Sequence, residues 1–284
     1  MSKKPSSTAD GLEIYRSSGA GMPNLIEYVK DFFRRREFAV ELSRSNIRAT
    51  NANNVLGSFW LVLNPLLLAC VYYLLVAVLS SGKSTGSERF THIVAGIFAY
   101  YFFAGCMTTG AASVTSAGRL IMNTPFPRLL LIFAIVRTAF RKFLPTIPIF
   151  FIIYLVGGLK LHVAQLLAIP VFFLLALAGF GIAALLATAQ VYFRDTSSFL
   201  PYINRIWLYV SPILYYSDRI YNAIGSWAYV NPLYALMGLW GDVLIKGTTG
   251  STEMWIAAGA WSIGIFLVGS LVFISRESDF AVRI

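Results

Sequence analysis

The chain has 284 residues, 57% of them hydrophobic and only 13% charged, with 23 Lys and Arg against 13 Asp and Glu. A soluble domain carries about 25% charged residues, so the composition excludes an ordinary soluble enzyme and points to an integral membrane protein. The positive excess is read as an orientation signal across a membrane rather than as nucleic-acid binding.

Residues 1–24 are polar, without an apolar period or a signal-peptide core, and read as a flexible cytoplasmic tail. From Leu25 the sequence LIEYVKDFFRRREFAVEL sets Ile26, Val29, Phe33 and Val40 near one helical face and Glu27, Lys30, Arg34 and Glu41 elsewhere. This predicts an amphipathic helix over 25–48, lying on the membrane surface or packed on a partner.

Ala49–Gly82 then runs 34 residues without an acid or base, where a membrane helix needs about 20. Further charge-free intervals follow at Phe90–Gly118, Phe143–Leu159, Leu161–Phe193 and Met254–Ser275. We expect an all-α membrane domain over 56–274, with spans at about 56–79, 93–114, 128–157, 163–189, 199–216 and 255–274. Pro65 should kink the first span. Ser81-Gly82-Lys83-Ser84 resembles the end of a phosphate-binding loop, but position 77 is Ala where that motif needs Gly, so no nucleotide site is read there. In the second span Ala104, Thr108 and Ala112 recur every four residues, and in the fourth Gly179, Ala183 and Ala187 do, as small-residue packing faces.

Between spans two and three lies SAGRLIMNTPFPRLLL, Ser116–Leu131. Pro125 and Pro127 break the backbone pattern a membrane helix needs, so this stretch is a short exposed turn or helix on which another protein could push. The uncharged stretch 220–241 is divided by Asn222, Ser226 and Asn231-Pro232 into halves too short to span. It is expected to form two half-helices in or dipping into the outer interface. A cytoplasmic tail follows at 275–284. Six crossings put both termini inside, and the charge distribution agrees: 17 of the 23 Lys and Arg fall on the side of the termini, five on the other, and Arg205 within a span.

Taken together, the amphipathic helix, Leu56-Gly57-Ser58-Phe59-Trp60 with Leu63-Asn64-Pro65, Leu120-Ile121 with Phe126-Pro127-Arg128, Phe193-Arg194-Asp195, Ser211-Pro212-Ile213-Leu214-Tyr215 and Asn231-Pro232-Leu233 resemble the permeases of ABC-type polysaccharide exporters. Those exporters handle O-antigen, capsule, teichoic acid and mycobacterial galactan. The resemblance runs from about residue 25 to the end and rests on the order of the motifs rather than on any one of them. It implies a bacterial plasma-membrane homodimer joined by two copies of a separate ABC ATPase, which carries the ATP and Mg. The cargo it implies is a glycan on a polyprenyl diphosphate. By the same resemblance Gly118, Arg119, Leu120, Ile121, Met122 and Asn123 form a coupling helix, with Arg194 and Asp195 a second ATPase contact. Trp227, Asn231, Pro232 and Tyr234 fall in outer gate helices. Asn123 stands where relatives often carry Lys, and no Pro follows the Phe-Pro-Arg.

The residues name no catalytic group. His92 and His162 sit at the outer ends of spans and no acid lies deep in one, so neither paired carboxylates nor a metal site is expected. Tyr72, Tyr73, Tyr100, Tyr101, Trp207, Tyr209, Tyr215 and Tyr216 are candidate channel aromatics, since sugar C–H faces rest on rings while hydroxyls stay hydrated; an interfacial aromatic belt is the other reading. Arg205 within a span should face the bundle interior, a partner helix or water. Arg137 and Arg141, four apart, are candidate diphosphate contacts or simple snorkelling anchors. An exporter of a drug or small lipid is the alternative function, and an integral-membrane glycosyltransferase is the reading from another class.

Overall fold

A computed structural model describes residues 25–51, 59–79 and 86–283. The N-terminal tail, the Leu56-Gly57-Ser58 motif, the loop holding Lys83 and most of the polar stretch Thr50–Asn54 lie outside these residues. All regular structure among the described residues is helical.

Helices α1 (Leu25–Arg34) and α2 (Arg36–Asn51) precede the apolar helices α3 (Trp60–Leu79) and α4 (Ser87–Ala111). Two short helices follow, α5 (Ser113–Ser116) and α6 (Gly118–Asn123). The third apolar stretch is α7 (Leu129–Phe143) and α8 (Thr146–Val156), separated at Leu144-Pro145, where the proline removes a backbone donor. A 3-10 turn, Val163–Leu167, leads into α9 (Ala168–Tyr192), and α10 (Thr196–Val210) follows a tight charged turn. Then come α11 (Ser217–Ile224), a 3-10 segment (Gly225–Val230), α12 (Pro232–Gly241) and a π turn (Asp242–Lys246). The chain ends in α13 (Thr252–Arg276), a 3-10 turn (Glu277–Asp279) and α14 (Phe280–Arg283).

Among the described residues five stretches are long and apolar enough to cross a membrane: α3, α4, α7 with α8, α9 with its leading turn, and α13 with its tail. The expected fifth crossing, 199–216, differs. Its helix α10 has 15 residues, roughly 22 Å of rise against a hydrocarbon core of about 30 Å. The chain leaves the helix at Ser211, so α10 does not reach spanning length by itself.

The core gathers around α4, whose residues are mostly buried. Helix α9 lies against it and α13 lies against α9. These contacts are made by small residues. A Cβ added at Gly181 would stand 2.2 Å from the Ile265 carbonyl oxygen, and one at Gly269 would stand 2.1 Å from the Gly181 carbonyl oxygen. The backbones of α9 and α13 therefore touch. At the α4–α9 crossing a Cβ on Gly110 would come within 2.6 Å of the Ala183 Cβ, and Gly179 faces Cys106. The row Gly179, Ala183, Ala187 is buried, whereas Thr108 and Ala112 of the row expected in the second span are exposed. On α4 the closest approach is at Gly110, with Cys106 packing one turn away.

Of the stretch 220–241, helix α12 is packed inside the protein rather than on its surface. Every residue from Leu233 to Gly241 is buried, enclosed by α4, α9 and α13. The reason is compositional: α12 is apolar on all sides, and such a helix finds no solvated face. Trp240 closes its end by donating from Nε1 to the Ala95 carbonyl at 3.0 Å. Helices α1 and α2 do more than rest on a surface. Ala39 and Ser43 are fully buried, with Ala39 beside Leu130 and Ala134 of α7, and the Ser43 hydroxyl accepts from the Thr138 hydroxyl at 3.0 Å.

Candidate functional site

Helices α3, α4 and α10 bring a set of tyrosines together. The hydroxyls of Tyr72 and Tyr209 are 3.3 Å apart, and their rings meet edge to face at 5.8 Å. Tyr100 donates to the Asn204 carbonyl and Tyr215 to the Tyr209 carbonyl. Arg205, exposed on α10, and Tyr101, half-exposed on α4, lie within electrostatic reach of Tyr72. The result is a wall of rings and hydroxyls with one guanidinium and no acid among these side chains. Tyr72 and Tyr100 are buried, so the accessible part is Tyr101, Tyr209 and Arg205, which offer ring faces to the C–H groups of a polyol and a five-donor fork to an anionic oxygen.

The other candidate aromatics divide. Trp207 meets Phe103 edge to face at 5.6 Å, and its Nε1 donates to Asn231 Oδ1 at 2.9 Å. Tyr73 turns onto Phe90, with ring centres 5.2 Å apart. Tyr216 belongs to the end of the bundle remote from α6: it packs on His92 at 4.5 Å and its hydroxyl donates to Glu88 at 3.1 Å.

That remote end is tied by two polar knots. Asn231 caps α12 by accepting from the Leu233 amide at 3.1 Å, and its Nδ2 reaches the Val210 carbonyl at 3.4 Å, joining α12 to α10. Pro232 occupies the first helical position, where its missing N–H costs nothing. Tyr234 is buried and its hydroxyl donates to the Ser217 carbonyl at 3.3 Å, while Trp227 is 78% exposed. In the second knot Lys246 Nζ lies 2.6 Å from Asp218 of α11 and 2.9 Å from Asp242. Burial pushes the Asp242 carboxyl above its usual range against the pull of the ammonium. Burial opposes the charge on Lys246 too, but the two carboxylates carry it above its ordinary value.

At the opposite end α6 presents two faces. Gly118 and Ile121 point inward, and Ile121 packs in a cluster with Val114, Leu129 and Phe280. Arg119, Met122 and Asn123 point outward, Met122 with 65% of its surface exposed, and Leu120 is intermediate. Arg194 and Asp195 are exposed in the α9–α10 turn. Beside them is a cleft of about 270 Å³, lined by Thr115, Gln190, Val191, Arg194 and Arg283. Arg283 is held there over the Tyr192 ring at 4.4 Å. On α7, Arg137 and Arg141 are both partly buried, and the Arg137 Nε is buried without a hydrogen-bond partner.

Arg283, Tyr28 and Glu277 did not stand out in the sequence. Each is unremarkable in its own window, and only contacts between distant segments single it out. Among the described residues no group of His, Cys, Asp and Glu could hold a metal ion.

Residues 37–239 match the ABC-2 type transporter family. The O-antigen export system permease protein RfbA of Klebsiella pneumoniae is 26% identical over 213 residues, covering 75% of this chain and 82% of that protein. The protein of the same name from Myxococcus xanthus is 24% identical over 263 residues, covering 92% of this chain and 100% of that one. The match crosses most of the helical bundle, from α2 through α12, and takes in the tyrosine wall, the α6 face and the capped α12: this multi-pass membrane protein belongs to the ABC-2 type transporter family.

Proposed function

We propose that the protein is the permease subunit of an ATP-driven exporter that moves a polyprenyl-diphosphate-linked polysaccharide of O-antigen or galactan type to the outer face of the plasma membrane. The observation that carries the cargo class is the exposed trio Tyr101, Tyr209 and Arg205, backed by the buried Tyr72 and Tyr100. It suits an uncharged, hydroxyl-rich chain attached to a phosphate. The relatives named O-antigen export permeases support the same reading. Two copies of the chain form the pathway, with α3 and α10 supplying apolar faces that a single copy leaves exposed. The α11–α12 region is the outer gate, with Asn231 and Lys246 holding its short helices to the body.

The end bearing α6 is cytoplasmic and meets two copies of an ABC ATPase. The outward face of Arg119, Met122 and Asn123 is the coupling surface. The cleft with Arg194 and Arg283 receives an acidic side chain of that ATPase, because neither guanidinium has a carboxylate within ion-pair distance among the described residues. A cysteine at position 123 should therefore label only after the membrane is opened, and one replacing Lys160 should label in intact cells. The opposite pattern overturns this orientation.

The function itself is tested in cells depleted of the protein, where a lipid-linked glycan should accumulate inside and its surface form should disappear. No accumulation, with efflux of a drug or small lipid lost instead, would sink the glycan reading. Arg137 and Arg141 serve as diphosphate contacts on the same reading, since their shared face is half-buried and the Arg137 Nε lacks a partner. The double change Arg137→Lys, Arg141→Lys keeps charge but loses the planar fork. It should insert and retain the ATPase, yet lose about tenfold or more of the glycan-stimulated ATP hydrolysis in liposomes. Wild-type stimulation and concentration dependence would make the two arginines orientation anchors instead.

A further inference from the structure

Helix α7 begins without a cap of its own. Its N-cap residue, Arg128, offers no capping side chain, so the first amides of α7 need acceptors from elsewhere. Both come from the chain's two ends. Glu277, in the turn after α13, accepts from the Arg128 amide through Oε1 at 2.8 Å. Tyr28 of α1 accepts from the Leu129 amide at 3.2 Å and donates its own proton to Glu277 Oε2 at 2.5 Å. The Arg128 side chain then reaches back to the Glu277 carbonyl. Burial, and after it the adjacent carboxylate, push the Tyr28 hydroxyl far above its ordinary value, so it keeps the proton this arrangement requires. Burial pushes the Glu277 carboxyl above its usual range, against the hydrogen bonds from Tyr28 and the Arg128 amide and the charge of Arg128; in its ionised form it is also favoured by the helix dipole.

The surrounding contacts make this a clamp on α6. Arg35 Nη1 donates to the Pro125 carbonyl at 2.5 Å and Phe38 packs on Phe126 at 4.9 Å, so α1 and α2 grip the loop that leaves α6. On the other side Phe280 is fully buried against Phe273 at 5.0 Å, and Tyr192 donates to Asp279 at 2.7 Å, which fixes α14 against α6 and α9. Helix α13 carries the linkage onward to the Gly269–Gly181 crossing with α9, where backbones touch.

We infer that Glu277 is a positioning residue for energy coupling: it locks the coupling helix α6, through the start of α7, to α13, so that the two move as one body when the ATPase acts. The inference rests on the permease reading for what drives the motion. Glu277 itself meets neither ATPase nor cargo. Losing the clamp should leave ATP hydrolysis running but disconnected from the transmembrane helices.

The test uses the full permease–ATPase complex in liposomes containing its lipid-linked glycan. Glu277→Ala should retain the ATPase and keep basal hydrolysis within about twofold of wild type, while stimulation by the glycan falls about tenfold, within the usual range of coupling between sites. Glu277→Gln keeps the oxygen that accepts from Arg128 and should recover most of the stimulation. Tyr28→Phe, which keeps the ring, should lie between and decides the matter if the alanine variant fails to assemble. Spin labels at positions 123 and 275 supply a readout independent of cargo. Their separation should be narrow and unchanged by nucleotide in wild type, and should broaden in Glu277→Ala or Tyr28→Phe. An equally narrow distribution in these variants overturns the clamp, as does a drop of retention, basal and stimulated hydrolysis by one common factor. Failure of the permease reading shows separately, as absence of glycan stimulation in the wild-type complex, and the spin-label result still decides the clamp.

Discussion

Leucine in place of Gly181 should leave no monodisperse protein after detergent extraction. The Cβ alone would stand 2.2 Å from the Ile265 carbonyl oxygen, and backbone, unlike a side-chain tip, cannot rotate aside. Helices α9 and α13 would have to separate along their shared face, losing the close packing that holds membrane helices together when no hydrophobic force distinguishes lipid from protein. Even alanine should cost about 1–3 kcal/mol, the usual range for overpacking, and lower the melting midpoint accordingly. Gly259 on α13 is the internal control, because a Cβ there meets nothing within 4 Å. Gly259→Ala should leave the midpoint unchanged or raise it, since alanine is the better helix former. If Gly181→Leu and Gly259→Ala melt alike, the crossing is not as close as described.

Two adjacent residues of α6 should give opposite failures. Ile121 is 6% exposed within a cluster that includes Val114, Leu129 and Phe280, so Ile121→Asp places an unpaired charge in the interior. Folded protein should be lost, and ATPase binding with it. Met122 is 65% exposed, and Met122→Asp should extract and melt as wild type does. Its defect should appear only with the partner: ATPase retention about tenfold or more weaker, because the charge would be desolvated in the interface without a counter-ion. Co-purification and thermal melting of both variants separate these effects. A folded Ile121→Asp protein, or normal ATPase retention by Met122→Asp, would mean that the faces of α6 are assigned the wrong way round. The resemblance implies that Gly118, Arg119, Leu120, Ile121, Met122 and Asn123 act together as a coupling helix, which holds the apolar run Leu120-Ile121-Met122. The structure buries Ile121 and exposes Met122, because successive helical residues point about 100° apart.

The candidate site was legible to different depths. Tyr72, Tyr100, Tyr101 and Tyr209 could be named as aromatics near the middle or ends of spans; the structure brings them near one another, with Tyr72 and Tyr100 buried and Tyr101 and Tyr209 exposed. Nothing in their windows distinguished them from Tyr73, which turns onto Phe90, or from Tyr216, which packs on His92. Side-chain direction depends on how each helix is rotated about its axis, and neighbouring helices set that rotation. Arg283 illustrates the same limit. From the sequence it is one cation in a polar tail, and only the docking of α14 brings it to the cleft with Arg194.

What the sequence determined by itself was the membrane setting, the stretches apolar enough to cross and the asymmetry of charge about them, because transfer of a segment into lipid depends on its own composition and length. It also determined that Pro125 and Pro127 interrupt the chain after α6, a local steric fact. The tertiary structure alone decided that α12 is enclosed by α4, α9 and α13, since its apolar surface would suit lipid, an interface or the protein interior equally. It alone decided that Glu277 meets Tyr28, 249 positions away, and Arg128, 149 positions away. A buried carboxylate requires partners wherever the fold can supply them, and that requirement has no sequence spacing.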